Sequence, residues 1–251
     1  MHPQTRKSNL INALIEEATN SSQLEGASTT RLVAKEMLRQ GRKPKDQSEQ
    51  MIFNNYHAMQ FIQDYKNEQL TPAMIFELHR ILTEGTLDNP GSSGQFRTAY
   101  DDIHVVNAQL SQALHTPPNA EELPERLQNF CQFANDEHLP IFIPPIIKAI
   151  VLHFMLAYDH PFIDGNGRVA RAIFYWAIIN QDWLMEFISI SRIIKKAIVQ
   201  YGRAFLYTET DDNDLTYFII HQLEMIEKAI VQFHHDLEQK RANLENVELH
   251  D

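Results

Sequence analysis

The sequence predicts an all-α protein, and three observations carry that prediction. Apolar residues recur three and four positions apart in most segments of the 251-residue chain, which is the spacing of one helix face. Ser, Thr or Asp precedes several of these segments and Gly follows several of them, as at helix ends. Only 8 Gly and 11 Pro residues are present, and no Gly/Ser linker or internal repeat is visible.

The first predicted helix is capped by Ser8 and Asn9 and stopped by Gly26, because the apolar residues between them point one way. A second helix end is predicted at Gly41, within the basic cluster at 39–45. Cations stabilise the negative end of a helix dipole, so this cluster is interpreted as a helix C-terminus rather than as a binding patch.

Two helices follow with clear boundary residues. Ser48 is predicted to cap a helix that runs through Tyr65, and Thr71 with Pro72 to start a helix that ends at Gly85. Helical spacing predicts five more helices, at 119–135, 145–158, 167–180, 191–207 and 215–240. The helix from 145 should carry His153 into the core as a packed or hydrogen-bonded residue rather than as a second catalytic base.

The helical pattern is interrupted between residues 86 and 118. Asn, Pro, Gly and Ser punctuate this segment, and the stretch 103–106 has the composition of a short strand. We expect a small β-hairpin here, with a plain surface loop as the alternative.

The most informative stretch is 160–171, which combines a histidine, a carboxylate, a glycine turn and two arginines. Gly165, Asn166 and Gly167 suit a backbone that turns through positive φ, and helical spacing follows directly. The turn therefore opens a helix, whose free N–H groups would form an anion site suited to phosphate.

The side chains around this turn have complementary chemistry. Arg168 and Arg171 lie three residues apart and can offer planar forks to phosphate oxygens. Asp164 supplies the kind of oxygen ligand that Mg²⁺ takes, and a neutral His160 could accept the proton of an attacking hydroxyl. Asp-Gly-Asn-Gly alone would also make an ordinary turn between helices.

The complete stretch resembles the signature of the Fic (Fido) family, His-x-Phe-x-Asp/Glu-Gly-Asn-Gly-Arg-x-x-Arg, at every defining position. The resemblance implies a protein adenylyltransferase, which moves AMP from ATP to a Ser, Thr or Tyr hydroxyl of a target protein. It also implies a Fic-type helical bundle in which the β-hairpin is a flap that holds a target segment.

The resemblance also implies a role for each matching residue. His160 would be the general base, Asp164 would bind Mg²⁺, and the Gly-Asn-Gly turn would hold the α- and β-phosphates. Arg168 would pair with the phosphate chain and Arg171 with the γ-phosphate. Tyr201 falls where family members often pack against the adenine.

A second motif lies at the end of the first helix. A carboxylate there faces the negative end of the helix dipole and gains from a cationic partner. The sequence Ser21-x-x-x-Glu25-Gly26 is similar to the inhibitory motif of Fic proteins, whose glutamate pairs with the last signature arginine. The resemblance implies self-inhibition, in which Glu25 binds Arg171 and displaces the γ-phosphate. The alternative is that Glu25 is an ordinary solvated residue.

These observations predict three parts: an N-terminal helical segment with the inhibitory motif at 1–69, the Fic catalytic core at 70–217, and a C-terminal helix at 218–251. The preferred function is a self-inhibited, Mg²⁺-dependent protein adenylyltransferase, which would also include modification of itself. A transferase of the same fold with another nucleotide donor and a nucleotide-gated protein-binding module stay open as alternatives.

The composition of the chain disfavours some classes of partner and compartment. A formal net charge of −11 disfavours nucleic acid, whose phosphates require a basic surface. The single Cys131 allows no intrachain disulfide, and no signal segment or long apolar run indicates a membrane. We therefore expect a cytoplasmic protein with ATP and a target protein as partners, and leave formation of a homo-oligomer open.

Overall fold

The structure is a computed structural model. It describes residues 3–248 apart from 102, 104, 108–111, 137–139 and 181–182. Within these residues the chain forms ten α-helices, so the predicted all-α class is confirmed. They are α1 (Pro3–Leu24), α2 (Arg31–Gln40), α3 (Gln47–Asp64), α4 (Pro72–Thr83), α5 (Leu123–Asn135), α6 (Pro145–Asp159), α7 (Asn166–Ile179), α8 (Ile190–Lys196), α9 (Ile198–Thr210) and α10 (Thr216–Glu248).

Helix α7 is the centre of the bundle. Every residue of α7 except Gly167 is buried, because α6, α4, α3 and α1 pack around it. The spacing of Val169, Ile173, Trp176 and Ile179 predicts one apolar side for this helix, but a helix that is covered on all sides must be apolar on nearly all of them. Arg168 and Arg171 are the charged residues of α7, and their burial requires polar partners inside the bundle.

Two helix starts differ from the prediction. α1 begins at Pro3, which suits the first turn of a helix, so Ser8 and Asn9 lie inside α1 rather than capping it. α3 is capped by Asp46, whose carboxylate accepts a 2.8 Å hydrogen bond from the Glu49 N–H, and not by Ser48. Asp and Ser are equally good caps, so local sequence did not separate these two positions.

The predicted helix at 191–207 is two helices in the structure. The backbone leaves the helical region at Ala197, with φ −125° and ψ 35°. This break lets α8 pack against α1 while α9 packs against α10. Alanine is the strongest helix former, so local propensity could not indicate the break.

Other boundaries shift by smaller steps. α5 starts at Leu123 after a short 3₁₀ helix rather than at residue 119. α10 starts at Thr216, whose N–H is capped by Asp214 at 2.9 Å, and extends to Glu248. The predicted helix ends at Gly26, Gly41 and Gly85 are confirmed as positive-φ glycines, at 92°, 64° and 65°.

Two short strands, β1 (Val105–Asn107) and β2 (Gln112–His115), pair antiparallel between α4 and α5 in the chain. Val105 pairs with His115, and the register shifts between Val105 and Val106. The connection at 108–111 lies outside the described residues. The use of this strand pair as a flap stays a prediction.

Among the described residues, the larger of two hydrophobic clusters runs through the bundle from Leu14 in α1 to Ala229 in α10, and the smaller one joins α2 to α3. The N-terminal helix is therefore packed into the same core as α7, and is not a loosely attached segment. Among the residues that the structure describes, no helix is both long and apolar enough to cross a membrane.

Candidate active site

The candidate site begins where α6 ends. His160 follows α6 in the left-handed region, with φ 46°, and its N–H donates to the Leu156 carbonyl at 3.1 Å. The His160 carbonyl accepts a 2.8 Å hydrogen bond from Nε of Arg97. The sequence did not indicate this left-handed residue, because histidine rarely marks a helix end.

The loop from His160 to α7 is closed by its own side chains. Asn166 accepts from the Phe162 N–H at 2.9 Å and donates to the Phe162 carbonyl at 2.8 Å. The Phe162 ring is fully buried and stacks on His79, with ring centroids 3.8 Å apart. Only Gly165 in the predicted turn has a positive φ, of 84°, while Asn166 and Gly167 already belong to α7.

We predict that Gly165→Ala destabilises the protein by about 1–3 kcal/mol, because alanine is strained at positive φ. A Cβ at this position would also stand 2.9 Å from Cγ2 of Thr83. Thr83 cannot rotate away freely, since its hydroxyl donates to the His79 carbonyl at 2.7 Å.

Urea unfolding measures this loss. The matched control is Gly202→Ala, an exposed position inside α9 where a Cβ meets nothing within 4 Å. We expect the control to be neutral or stabilising by about 0.5–1 kcal/mol. Equal effects of the two substitutions would contradict the role of backbone strain at Gly165.

The carboxylate of Glu25 lies at the N-terminus of α7. Within the described residues no side chain of the loop caps the first N–H groups of α7. The Glu25 carboxylate lies against Gly167 so closely that a Cβ there would overlap Oε1 of Glu25. Glycine at 167 therefore gives an anion close access to the positive end of α7.

Arg171 binds the end of α1 through three hydrogen bonds. Its Nη2 donates to Oε1 of Glu25 at 2.6 Å and to the Ser21 carbonyl at 3.0 Å, and its Nε donates to the Ser21 hydroxyl at 2.9 Å. Burial alone would raise the pKa of Glu25, but the charge and hydrogen bond of Arg171 lower it below its usual range. The predicted contact between Glu25 and Arg171 is present in the structure.

The sequence predicted that the guanidinium groups of Arg168 and Arg171 both face outward to bind phosphate oxygens, and Arg168 does not. Its side chain is 2% exposed, and it donates to the Leu82 carbonyl at 2.8 Å and to Oδ2 of Asp164 at 3.2 Å. The guanidinium is turned toward α4 because the Leu82 carbonyl lies within its reach. Contact between Arg168 and a phosphate chain stays a prediction.

Asp164 is a carboxylate directed toward solvent. Its side chain is 62% exposed, and Arg168 is its ion-pair partner. Its backbone carbonyl accepts a 2.9 Å hydrogen bond from Nε2 of His79. Among the described residues no group of three or more His, Cys, Asp or Glu side chains could hold a metal ion, so a metal here would need ligands from water or substrate.

His160 is held in the form that a general base requires. Its Nδ1 lies 3.2 Å from the Ala157 carbonyl, which can only accept, so Nδ1 carries the proton and Nε2 has a free lone pair. Burial lowers the pKa of His160, and the charges of His115 and Arg97 lower it further. The neutral, proton-accepting form is therefore favoured near neutral pH.

The partly buried Tyr201 and the buried His153 form a pair beside Arg171. The Tyr201 hydroxyl lies 2.9 Å from Nε2 of His153, and burial raises the pKa of Tyr201 to about 12, although Arg171 opposes the shift. His153 is fully buried and stacks on Phe174. The prediction of a core role for His153 is confirmed, and the contact of Tyr201 with adenine stays a prediction.

We predict from the burial of His153 that the free energy of unfolding depends on pH. Burial lowers the pKa of His153 to about 3, whereas the same histidine in the unfolded chain titrates near 6.5. The unfolded state therefore binds more protons, and the free energy of unfolding should fall as pH drops below 6.5. The expected contribution is a loss of about 2 kcal/mol by pH 5.

Urea unfolding of wild type and His153→Gln at pH 7 and pH 5 isolates this contribution. We expect the substituted protein to lose less stability between the two pH values than wild type does. The same pH dependence in both proteins would show that His153 is not the proton-binding group.

Glu17 was not identified from sequence as a residue of the site, whereas Ser21 belongs to the motif found there and shares Arg171 with Glu25. Glu17 anchors α1 by accepting from the Ser189 hydroxyl at 2.7 Å and the Ser191 N–H at 3.2 Å. Glu17, Ser21 and Glu25 are four residues apart, which places them on one face of a helix and could have indicated a common role.

His79 was also missed, and it connects the loop to α4. Gly94 donates to its Nδ1 at 2.9 Å, and its Nε2 donates to the Asp164 carbonyl. Burial lowers the pKa of His79 to about 4, so the ring is neutral. Nothing in the local sequence around His79 distinguishes it from a solvated residue, because its partners lie far away in the chain.

The chain is similar in sequence to known proteins. Residues 69–178 match the model of the Fic/DOC family. The chain is 34% identical over 105 residues to "Protein adenylyltransferase Fic" of Drosophila erecta, which is 42% of this chain and 19% of that protein. It is 32% identical over 108 residues to "Protein adenylyltransferase fic-1" of Caenorhabditis elegans, or 43% of this chain and 19% of that protein. The chain thus spans about one fifth of the length of these relatives.

Solved structures share the fold over most of the chain. A Fic family protein from Desulfovibrio desulfuricans superimposes with a TM-score of 0.75 at 18% identity, covering 93% of this chain and 67% of that chain. A Fic domain containing signaling protein from Bacteroides thetaiotaomicron gives a TM-score of 0.73 at 19% identity, with 92% and 88% coverage. These similarities establish a Fic-type helical fold.

Proposed function

The chain carries a Fic/DOC family domain over residues 69–178, and from this premise we propose that the protein is a self-inhibited protein adenylyltransferase. It transfers AMP from ATP to a Ser, Thr or Tyr hydroxyl of a target protein. Its N-terminal helix α1 restrains the reaction through Glu25.

The observation that carries the proposal is the place of the Glu25 carboxylate. It lies against Gly167 at the N-terminus of α7 and is bound to Arg171, so an anion already occupies the anion site. A phosphate chain bound to the same helix end and the same arginine must compete with it. The same anion site would therefore bind the phosphate chain of ATP for transfer and bind Glu25 for inhibition.

The chemistry follows from the tautomer of His160. Its Nε2 accepts the proton of the acceptor hydroxyl as that oxygen attacks the α-phosphorus of ATP. The new O–P bond forms while the bond from the α-phosphorus to the bridging oxygen breaks. AMP stays on the protein, pyrophosphate leaves, and the proton rests on His160.

The described residues fit a magnesium ion. Mg²⁺ commonly takes one or two carboxylates and completes its shell with water and phosphate oxygens. Asp164 is a single, largely exposed carboxylate next to the α7 N-terminus, which suits that ligand set. A bound Mg²⁺ would neutralise phosphate charge there.

The second candidate is a Fic-fold transferase with another nucleotide donor. The anion site selects phosphates rather than a base, and the Tyr201 hydroxyl is already engaged by His153. A nucleotide-gated binding module is the third candidate. An aligned base at His160 favours an enzyme over that module.

Intact mass spectrometry tests the proposal and its alternatives. Glu25→Gly protein is incubated with Mg²⁺ and each of ATP, GTP, CTP and UTP, first alone and then with a cell lysate. We expect one added AMP on the protein itself or on a lysate protein, with ATP alone. Transfer from another nucleotide would support the second candidate, and no covalent product with any donor would count against an enzyme.

A further inference from the structure

His115, the last residue of β2, connects the strand pair to two helices. Its Nδ1 lies 2.8 Å from Oε2 of Glu209 in α9, and its Nε2 lies 2.7 Å from the Tyr158 carbonyl in the last turn of α6. The side chains of His115 and Glu209 are only 8% and 12% exposed. The contact is thus shielded from solvent.

Both partners of the ring are acceptors. A backbone carbonyl cannot donate, and an ionised carboxylate cannot donate either. Both hydrogen bonds therefore form only when Nδ1 and Nε2 each carry a proton, which makes the ring an imidazolium. Burial and Arg97 lower the pKa of His115, but Glu209 and the Tyr158 carbonyl raise it overall.

The carbonyl held by His115 lies two residues before His160. The neighbouring Ala157 carbonyl accepts from His160 itself, and Arg97 binds the carbonyls of Asp159 and His160. Two cations thus hold the C-terminal end of α6, where they complement the helix dipole. The backbone that orients His160 depends on both.

We propose that His115 is a positioning residue for the reaction, which holds the last turn of α6, and with it His160, while both its ring nitrogens are protonated. The inference rests on the proposed function for its effect on AMP transfer. The tether itself is a property of the protein without nucleotide.

The charged groups around His115 determine how the tether depends on pH. Glu209 of α9 favours the charged ring, whereas Arg97 opposes it. The charge of His115 in turn lowers the pKa of His160. Arg126 of α5 lies 6.0 Å from the Tyr158 ring centroid. Because the folded-state pKa of His115 is raised, the tether contributes fully below the unfolded value near 6.5 and is lost as pH rises through the folded value.

The direct test is a ¹⁵N NMR titration of the histidine rings in the wild-type chain without nucleotide. The resonances of His115 and His160 are assigned with His115→Gln and His160→Asn. We expect His115 to show the imidazolium pattern at pH 7 and to titrate above its ordinary range. A neutral His115 ring at pH 7 would overturn the proposal.

The variants then test coupling to His160. His115→Gln can still donate to the Tyr158 carbonyl but carries no charge, so we expect the His160 titration midpoint to move to higher pH. Glu209→Gln keeps the ring and should lower the His115 midpoint. His234→Gln, an exposed histidine on α10, is the control and should change neither. An unchanged His160 midpoint in His115→Gln would reduce His115 to a structural contact.

Activity provides a separate measurement in the Glu25→Gly background. We expect the acid limb of the kcat/KM profile for AMP transfer to move to higher pH in His115→Gln, in step with the His160 midpoint, while KM for ATP stays close to its value without the substitution. An unmoved acid limb would contradict the positioning role. If no variant transfers AMP, the proposed function fails, and the NMR midpoints still decide whether the tether exists.

Discussion

Replacing Glu25 by glycine is expected to raise AMP incorporation by about 100-fold. The carboxylate is the anion that lies against Gly167 and binds Arg171, so its removal frees the helix end and the guanidinium together. Restraining the competent state to one molecule in a hundred requires about 2.7 kcal/mol. One partly buried, charge-assisted pair supported by Ser21 has that magnitude.

Labelled ATP and isothermal calorimetry measure the effect of Glu25→Gly on incorporation and on nucleotide affinity. The matched control is Glu68→Gly, an exposed glutamate in the turn after α3, which should leave both unchanged. Glu25→Gln should give an intermediate rate, since the amide can still accept from Arg171 but carries no charge. Equal labelling of wild type and Glu25→Gly would contradict self-inhibition by Glu25.

Removing the imidazole of His160 is expected to abolish transfer, with a loss of about 10²- to 10⁴-fold in the Glu25→Gly background. The lone pair on Nε2 is the proton acceptor that the proposed step requires. Nucleotide affinity should change little, because the phosphates are assigned to the α7 N-terminus and Arg171. The loss should therefore appear in kcat rather than in the ATP dissociation constant.

The left-handed backbone of His160 requires a second variant in this experiment. Alanine at φ 46° is strained, so His160→Ala alone could lower activity by disturbing the loop. His160→Asn provides the second variant, because asparagine tolerates this conformation and has no basic nitrogen. His57→Ala, an exposed histidine on α3, is the control. Transfer that survives in the well-folded His160→Asn protein would remove His160 from the role of base.

Local chemistry was predictable where its causes lie within a few residues. Gly26, Gly41 and Gly85 each end a helix at positive φ, because only glycine adopts that conformation at little cost. The His160–Arg171 stretch indicated a loop that opens a helix with an anion site. The structure has that loop, and Asn166 closes it onto Phe162.

Predictions from the local sequence were wrong where two neighbouring residues were equally suited to the same role. Asp46 and Ser48 are both good caps, but Asp46 caps α3 while the Ser48 hydroxyl accepts from the Ser28 N–H at 3.1 Å. Arg168 and Arg171 share a face by spacing, yet Arg168 turns to the Leu82 carbonyl and Arg171 to the end of α1. The spacing of residues along a helix determines which helix face a side chain lies on, but the neighbouring helices determine which group it binds.

The sequence by itself determined the helical class, the helix stops and the chemical types gathered in the active loop, because these depend on groups a few positions apart. Only the tertiary structure decided that Glu25 reaches Arg171 across 146 positions, and that His115 reaches Tyr158 across 43. Such contacts form because α1 and α6 are fixed by core packing and β2 lies against α9, and a hydrogen bond requires its two atoms to come within about 3 Å of each other.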